Sequence, residues 1–355
     1  MTGATMRAAV YHGDHDIRVT EVPVPRRKEG EVLIRVLRSG VCGTDATEWS
    51  VGPKVFPVAT PHRVTGHHGP MVLGHEFVGE VVEADAGSGF APGDLVASGA
   101  GVWCGECARC LEGRTNMCES YFTYGLSTDG GMAELVSAAA ETLWRIPEGL
   151  PVDHAALAQP LAVGIHAARR SGAEDGDRVV IIGAGAIASF VLAGLKHLVD
   201  AEVAVVDFPG PKLDRARRFG ADHVLAPGES LPAEVADAFG GRRPDVVIEA
   251  SGAPGQLAAA IALVRDGGRV LAVGLPKAKP EIDVHSFVFR EISLESSLAH
   301  VCGTDLGPAL EILAEGILGP ELVERVVPLE KLGVELENLA AGRLEGKILV
   351  DPALT

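Results

Sequence analysis

The stretch DRVVIIGAGAIASFVLAGLKHLVDAEVAVVD, Asp177 to Asp207, decides the fold. Val179 to Ile182 form an uninterrupted apolar run after a charged start, the pattern of a parallel strand buried on both faces. Gly183-Ala184-Gly185-Ala186-Ile187-Ala188 follows and fits G-x-G-x-x-A. Gly183 permits a tight turn, Gly185 lets the backbone approach a pyrophosphate, and the small Ala188 lets a helix pack close to the strand. The helix N-terminus, at Ala186 and Ile187, offers unpaired N–H groups and a positive dipole end to phosphate. A second apolar strand, Val203 to Val206, ends at Asp207, twenty-four residues after Gly183. From there a carboxylate accepts hydrogen bonds from the adenosine ribose of NAD and repels the 2′-phosphate of NADP. No arginine immediately follows the acid to receive that phosphate, since the next residues are Phe208-Pro209-Gly210. NAD is the expected cofactor.

The alternation continues outward. PDVVIEASG (244–252) reads as a buried strand and turn, 256–265 as a helix, and GRVLAVGLP (268–276) as a further strand. Strands and helices alternating at this length predict an α/β doubly wound parallel sheet with right-handed crossovers. The first 150 residues differ: short β-rich stretches such as Glu31 to Val36 and Phe77 to Val82 are broken by Gly and Pro, without long helical periods. They predict a separate, mostly β domain. A length of 355 residues fits two domains, or one interrupted by another.

Composition excludes other classes. The net charge of −17, from 48 acidic against 31 basic residues, disfavours a sequence-independent hold on nucleic acid and weakens attraction to anionic membranes. The longest uncharged run, Val179 to Leu195, is seventeen residues, short for a bilayer and punctuated by three glycines. Met1 to Met6 is short and polar, unlike a signal peptide, so a cytoplasmic location is expected.

Four of the six cysteines, Cys104, Cys107, Cys110 and Cys118, are spaced C-x2-C-x2-C-x7-C. Four thiolates at about 2.3 Å satisfy a tetrahedral zinc without water, the closed pattern of a structural site. The rival, an iron–sulfur site, would show different spacing and a proline after the fourth cysteine. Cys42 stands apart in VCGTD, among small polar neighbours, and GHE follows downstream with His75 and Glu76. One thiolate, one imidazole and one carboxylate leave zinc an open fourth position, the catalytic pattern. Cys302 is left over and reads as a buried structural thiol.

Together, VCGTD, GHEFVGEVV, the four-cysteine lobe, GAGAIA with Asp207, and the closing GKILV resemble the zinc-containing medium-chain alcohol and polyol dehydrogenases over essentially the whole chain. The long interval between Cys42 and His75, GPKVFPVATPHRVTGHHGPMVLGHEF, resembles the (R,R)-butanediol type, with sorbitol and threonine dehydrogenases next. The resemblance implies a GroES-like catalytic domain over 1–160, a Rossmann domain over 161–291, and a return to the catalytic domain over 292–355. It makes Cys42, His75 and Glu76 ligands of a catalytic zinc and the four-cysteine lobe a structural zinc site, two ions per chain. It gives Thr44 a hydrogen bond to the substrate hydroxyl, Lys212 a place beside Asp207, and Lys347 a place facing the pyrophosphate. Val273, Gly274 and Leu275, with Leu298, Ala299 and His300, would seat the nicotinamide. A homotetramer or homodimer is the expected assembly.

Two positions depart from the family pattern. A histidine normally stands five residues after the first cysteine and relays the proton; here it is Thr47. The carboxylate usual before Pro-Leu is Gln159, which can hydrogen-bond a zinc-bound water without adding negative charge. His300, or His62 in the loop before GHE, are candidates for the missing proton route. The expected activity is hydride transfer between NAD(H) and a small vicinal diol, hydroxyketone or polyol. The alternatives are a specialised biosynthetic dehydrogenase of a larger polyhydroxylated or amino-alcohol substrate, and a non-catalytic homologue that binds zinc and nucleotide.

Overall fold

The computed structural model describes residues 4–276 and 278–355. The chain divides into two compact units, Met1–Gln159 with Val301–Thr355, and Pro160–His300.

The second unit is a six-stranded parallel sheet. In chain order its strands are Arg178–Ile182, Glu202–Val206, His223–Leu225, Val246–Glu249, Arg269–Ala272 and Ser293–Ser296. Their spatial order is third, second, first, fourth, fifth, sixth, so the order reverses between Arg178–Ile182 and Val246–Glu249. Crevices at the carboxyl ends of strands beside such a reversal are where open α/β sheets bind ligands. The apolar run read from the sequence explains the burial: Val179, Val180, Ile181 and Ile182 are all buried, as are Val203 to Val206. Each valine and isoleucine among them contributes roughly 1.5–3 kcal/mol on leaving water. At the opposite, amino ends, Asp245 accepts from the Arg178 and Arg265 guanidiniums at 2.6–2.8 Å. Burial raises its carboxyl, but bonds from the Arg178 backbone and both guanidiniums outweigh this and hold it below the ordinary range.

The elements are shorter than the sequence suggests. The strand and turn expected over 244–252 place the strand at Val246–Glu249, and the helix expected over 256–265 is Gln256–Leu263. The strand expected over 268–276 is Arg269–Ala272. Ser293–Ser296, which lies beyond the expected return point near Glu291, pairs with Arg269–Ala272 and so belongs to this unit.

The first unit is β-rich. Its largest sheet joins Glu31–Gly40 to Phe77–Glu83, to Leu135–Ala139 and to Lys347–Val350. Lys347–Val350 also pairs in parallel with Val323–Val327, so the last strand of the chain sits inside the sheet begun by the first fifty residues. A smaller sheet orders Asp16–Pro23, Thr5–Gly13 and Met71–Val72. A nine-residue helix, Gly43–Val51, leaves the end of Glu31–Gly40 and packs near Leu332–Ala340. Among the described residues no helix is long and apolar enough to cross a membrane.

Candidate metal centres and cofactor seat

Cys42 lies where the strand Glu31–Gly40 gives way to the helix Gly43–Val51 and is the residue that caps it. Asp45, three residues on, accepts the Cys42 N–H at 3.0 Å, which fixes the cysteine's backbone at the helix entrance. His75 and Glu76 come from the segment just before Phe77–Glu83, one strand over in the same sheet. Gly74 precedes them at φ +99°, and a Cβ there would lie 2.6 Å from Ser39 Oγ and 2.7 Å from Met132 N. Only glycine lets the chain turn His75 inward at that point. The ligand atoms of Cys42, His75 and Glu76 all lie within 4.8 Å of one another.

The charge around these three is concentrated and buried. Glu76 pairs with Lys347 at 2.5 Å, and the Lys347 ammonium also donates to the Val41 carbonyl at 2.8 Å. His75 Nδ1 is 3.6 Å from Asp45 Oδ1. Burial disfavours a charged ring at His75, yet Cys42, Asp45 and Glu76 overcome it and push the imidazole up to about 10. Burial also raises the Asp45 carboxyl. A pocket with this excess of negative groups, and with soft, borderline and hard donors converging, fits a zinc ion that keeps a position open to a further ligand.

The four-cysteine lobe fits zinc differently. Cys107 and Cys110 Sγ are 3.6 Å apart, and Cys104 and Cys118 Sγ are 3.5 Å apart. Sulfurs sharing one tetrahedral ion stand about 3.8 Å apart, from zinc–sulfur bonds of about 2.3 Å. Backbone N–H groups of Cys104 and Ser120 point at Cys118 Sγ, each at 3.3 Å. N–H groups of Glu119 and Cys110 stabilise a Cys107 thiolate and bring that thiol down to about 6. The lobe contains only a four-residue helix, Ala108–Leu111, and a 3₁₀ turn, Thr115–Met117, so an ion takes the place of a hydrophobic core. All six cysteines are free thiols; burial pushes the Cys302 thiol up to about 12, matching an inert structural role.

Thr44 is half-buried, its hydroxyl 3.9 Å from Cys42 Sγ. Thr47 is exposed and donates to the Gly43 carbonyl one turn back at 2.9 Å. Gln159 is half-buried in the first turn of the helix Ala158–Arg170. His62 lies in the loop before GHE, with Nδ1 facing the N–H groups of Val64 and Thr65, and burial is the first cause of its lowered pKa.

The cofactor candidates lie in the second unit, with the exception of Lys347. Gly183 takes φ +108°, and the helix Ala186–Leu198 starts at Gly185, with Ala188 buried on it. Asp207 accepts from the Ala184 N–H at 2.6 Å and from the Phe208 N–H at 2.7 Å, which ties the second strand's end to the glycine turn. Lys212 sits in the first turn of Pro211–Arg218. Val273 and Gly274 are half-buried, and Leu275 is 90 % exposed. Leu298 is exposed, Ala299 takes φ +50°, and His300 is buried. Lys347 belongs to the first unit, where its ammonium pairs with Glu76 and donates to the Val41 carbonyl. Sequence reading left Asp45 without a role, although its spacing from Cys42 is that of a capping box.

Comparison with known proteins agrees with this layout. Residues 28–148 match the alcohol dehydrogenase GroES-like domain, and residues 186–315 match the zinc-binding dehydrogenase family. An erythritol/L-threitol dehydrogenase of Mycolicibacterium smegmatis is 33 % identical over 98 % of both chains. The (R,R)-butanediol dehydrogenase of Bacillus subtilis is 31 % identical over 98 % of this chain and all of its own. The crystal structure of 2R,3R-butanediol dehydrogenase from Bacillus subtilis superposes with a TM-score of 0.88 at 29 % identity, covering 98 % of this chain and 99 % of that one.

Purified protein should carry two zinc ions per chain. Cys110→Ser should remove one and cost roughly 3 kcal/mol or more of stability, because a closed site contributes directly to folding. His75→Ala should remove the other, leave the protein folded, and lower turnover on the order of a thousandfold. Metal analysis with thermal unfolding reads both; an active protein with less than one zinc per chain contradicts the assignment.

Proposed function

Since the chain belongs to the zinc-binding medium-chain alcohol dehydrogenase family, as an NAD-dependent enzyme of the alcohol and polyol type, we propose that it oxidises the secondary hydroxyl of a small vicinal diol or polyol, and reduces the matching hydroxyketone. The observation that carries this is the cluster of half-buried Cys42 with buried His75 and Glu76, and the Thr44 hydroxyl beside it. The curated relatives named for butanediol and for erythritol and threitol support the substrate class.

When bound, zinc supplies a Lewis acid at Cys42, His75 and Glu76, and NAD supplies the hydride acceptor. The chain's own residues do the rest. Asp45 holds Cys42 at the helix entrance, and Lys347 holds the Glu76 carboxylate, so the donors are set before substrate arrives. Thr44 accepts the proton of the substrate hydroxyl and passes its own on toward solvent. Thr47 takes no part in this chain of hydroxyls as it stands, because its proton is directed at Gly43. Asp207 selects NAD at the far end of the cofactor.

The same reading includes a homodimer or homotetramer. Every residue of the edge strand Ser293–Ser296 is exposed, and the neighbouring helix Val284–Phe289 exposes Val284, Val288 and Phe289. Open edges with apolar neighbours invite pairing with another strand. Sedimentation at the monomer mass contradicts this part.

NADH formation on a panel of vicinal diols, polyols and simple secondary alcohols tests the proposal. The expected result is preference for the diols with NAD over NADP; better use of NADP, or no turnover of any alcohol, defeats it. Asp207→Ser with Phe208→Arg should shift the coenzyme preference toward NADP by about tenfold, equivalent to roughly 1.4 kcal/mol. The pH profile of kcat for the parent should lack a break set by a relay imidazole. Thr47→His should introduce one and raise oxidation near pH 7 by about tenfold, as a base of matched pKa would. An unchanged profile would show that proton release is not controlled at this position.

A further inference from the structure

The four-cysteine lobe contains little regular structure, and one of the contacts that orders it comes from the loop between Cys42 and His75. Cys118 opens a turn that the Tyr121 N–H closes on the Cys118 carbonyl at 3.1 Å. Within that turn the Ser120 N–H points back at Cys118 Sγ at 3.3 Å, and the Glu119 N–H faces the Cys107 thiolate. The guanidinium of Arg63 donates to the Glu119 carbonyl. That carbonyl and the Ser120 N–H belong to one planar peptide unit. The unit is therefore held at its oxygen by Arg63 and at its nitrogen by the sulfur.

The loop is built to present this arginine. The His62 N–H donates to the His67 carbonyl and the Gly66 N–H to the His62 carbonyl, both at 2.9 Å. His62 Nδ1 faces the N–H groups of Val64 and Thr65 inside the same turn. The Thr65 hydroxyl donates to the Ser127 carbonyl at 2.7 Å, a second tie farther along the segment that leaves the lobe. Arg63, itself exposed, thus extends from a closed and docked turn.

Four thiolates outweigh the charge of one divalent ion, so the centre keeps an excess of negative charge that N–H donors offset. A cation on a carbonyl polarises the peptide and strengthens the N–H on its other side. Within the lobe, Arg109 is already paired with Glu112 at 2.7 Å.

We propose that Arg63 is a positioning residue of the four-cysteine zinc site. It holds the Glu119–Ser120 peptide in the orientation that aims its N–H at Cys118, so the loop before His75 helps the lobe retain its ion. This rests on reading the lobe as a zinc site.

The test is transfer of zinc from the holoenzyme to an excess of a colorimetric chelator. The phase missing from His75→Ala belongs to the catalytic ion, and the phase that persists belongs to the lobe. Arg63→Ala should release the lobe zinc about fivefold faster, less than the roughly 10–100-fold effect of losing a buried partner of a metal ligand, because the guanidinium is exposed. Arg63→Lys keeps a charged donor, and Thr65→Val removes only the tie to Ser127, so both should stay within about twofold of the parent. The catalytic phase should stay within about twofold in all three variants. Unchanged release in Arg63→Ala overturns the proposal. Equal acceleration in Arg63→Lys or Thr65→Val, or of the catalytic ion, shows a general loosening and overturns it as well. A parent whose lobe holds no zinc instead refutes the zinc reading, and the proposal falls with it.

Discussion

The ion pair between Glu76 and Lys347, 2.5 Å long and closed off from solvent, is the contact on which the arrangement of the chain depends. Glu76 lies beside His75 in the first part of the chain, and Lys347 opens the last strand. Both are buried, and a buried charge left without its partner costs about 3–5 kcal/mol. The final strand returns to the sheet formed by the first hundred residues, where it pairs with Glu31–Gly40 and Val323–Val327, and this return brings Lys347 to Glu76. Lys347 reaches Val41 as well, so one ammonium holds the segment leading to Cys42 and the carboxylate beside His75. The metal donors are thus held by the closure of the fold, and Asp45 completes the set by anchoring the Cys42 backbone.

How much of this the sequence disclosed depended on how local each signal is. The run Val179 to Ile182 was legible because a strand buried on both faces must be apolar throughout. Asp207 and the glycine turn were legible because their separation is fixed by one strand–helix–strand unit. The four-cysteine lobe was legible because its ligands lie within fifteen residues. Ser293–Ser296 carried no such signal: an edge strand exposed along its whole length has no apolar run to read. The partner of Lys347 was hidden by sequence distance, and the resemblance alone pointed its ammonium toward phosphate. Glu249 looked like the end of a strand, since nothing in PDVVIEASG reveals that its carboxylate gathers donors from the loop that follows.

The two units solve different problems with the same device, a buried carboxylate that organises backbone. In the catalytic unit Asp45 and Glu76 set thiolate and imidazole for a cation. In the nucleotide-binding unit the half-buried Asp207 ties the glycine turn to the second strand, and the buried Glu249 carboxylate closes the turn at Ser251 and Gly252. Asp45, Glu76 and Glu249 are buried and carry a desolvation cost that apolar side chains would avoid. Thr47 and Gln159 mark where this chain differs from the common pattern. In the pattern the resemblance implies, both positions carry an ionisable side chain where this chain has a neutral one.

Cobalt(II) exchanged for zinc tests the central claim, that Cys42, His75 and Glu76 form one cation seat open to substrate. Tetrahedral cobalt with thiolate ligands gives intense visible and sulfur charge-transfer bands that respond to a change of ligand. The account predicts two band sets in the parent, one of which shifts when a vicinal diol and NAD are added and is lost in Cys42→Ser. Bands in Cys42→Ser that match the parent and still respond to the diol would contradict it.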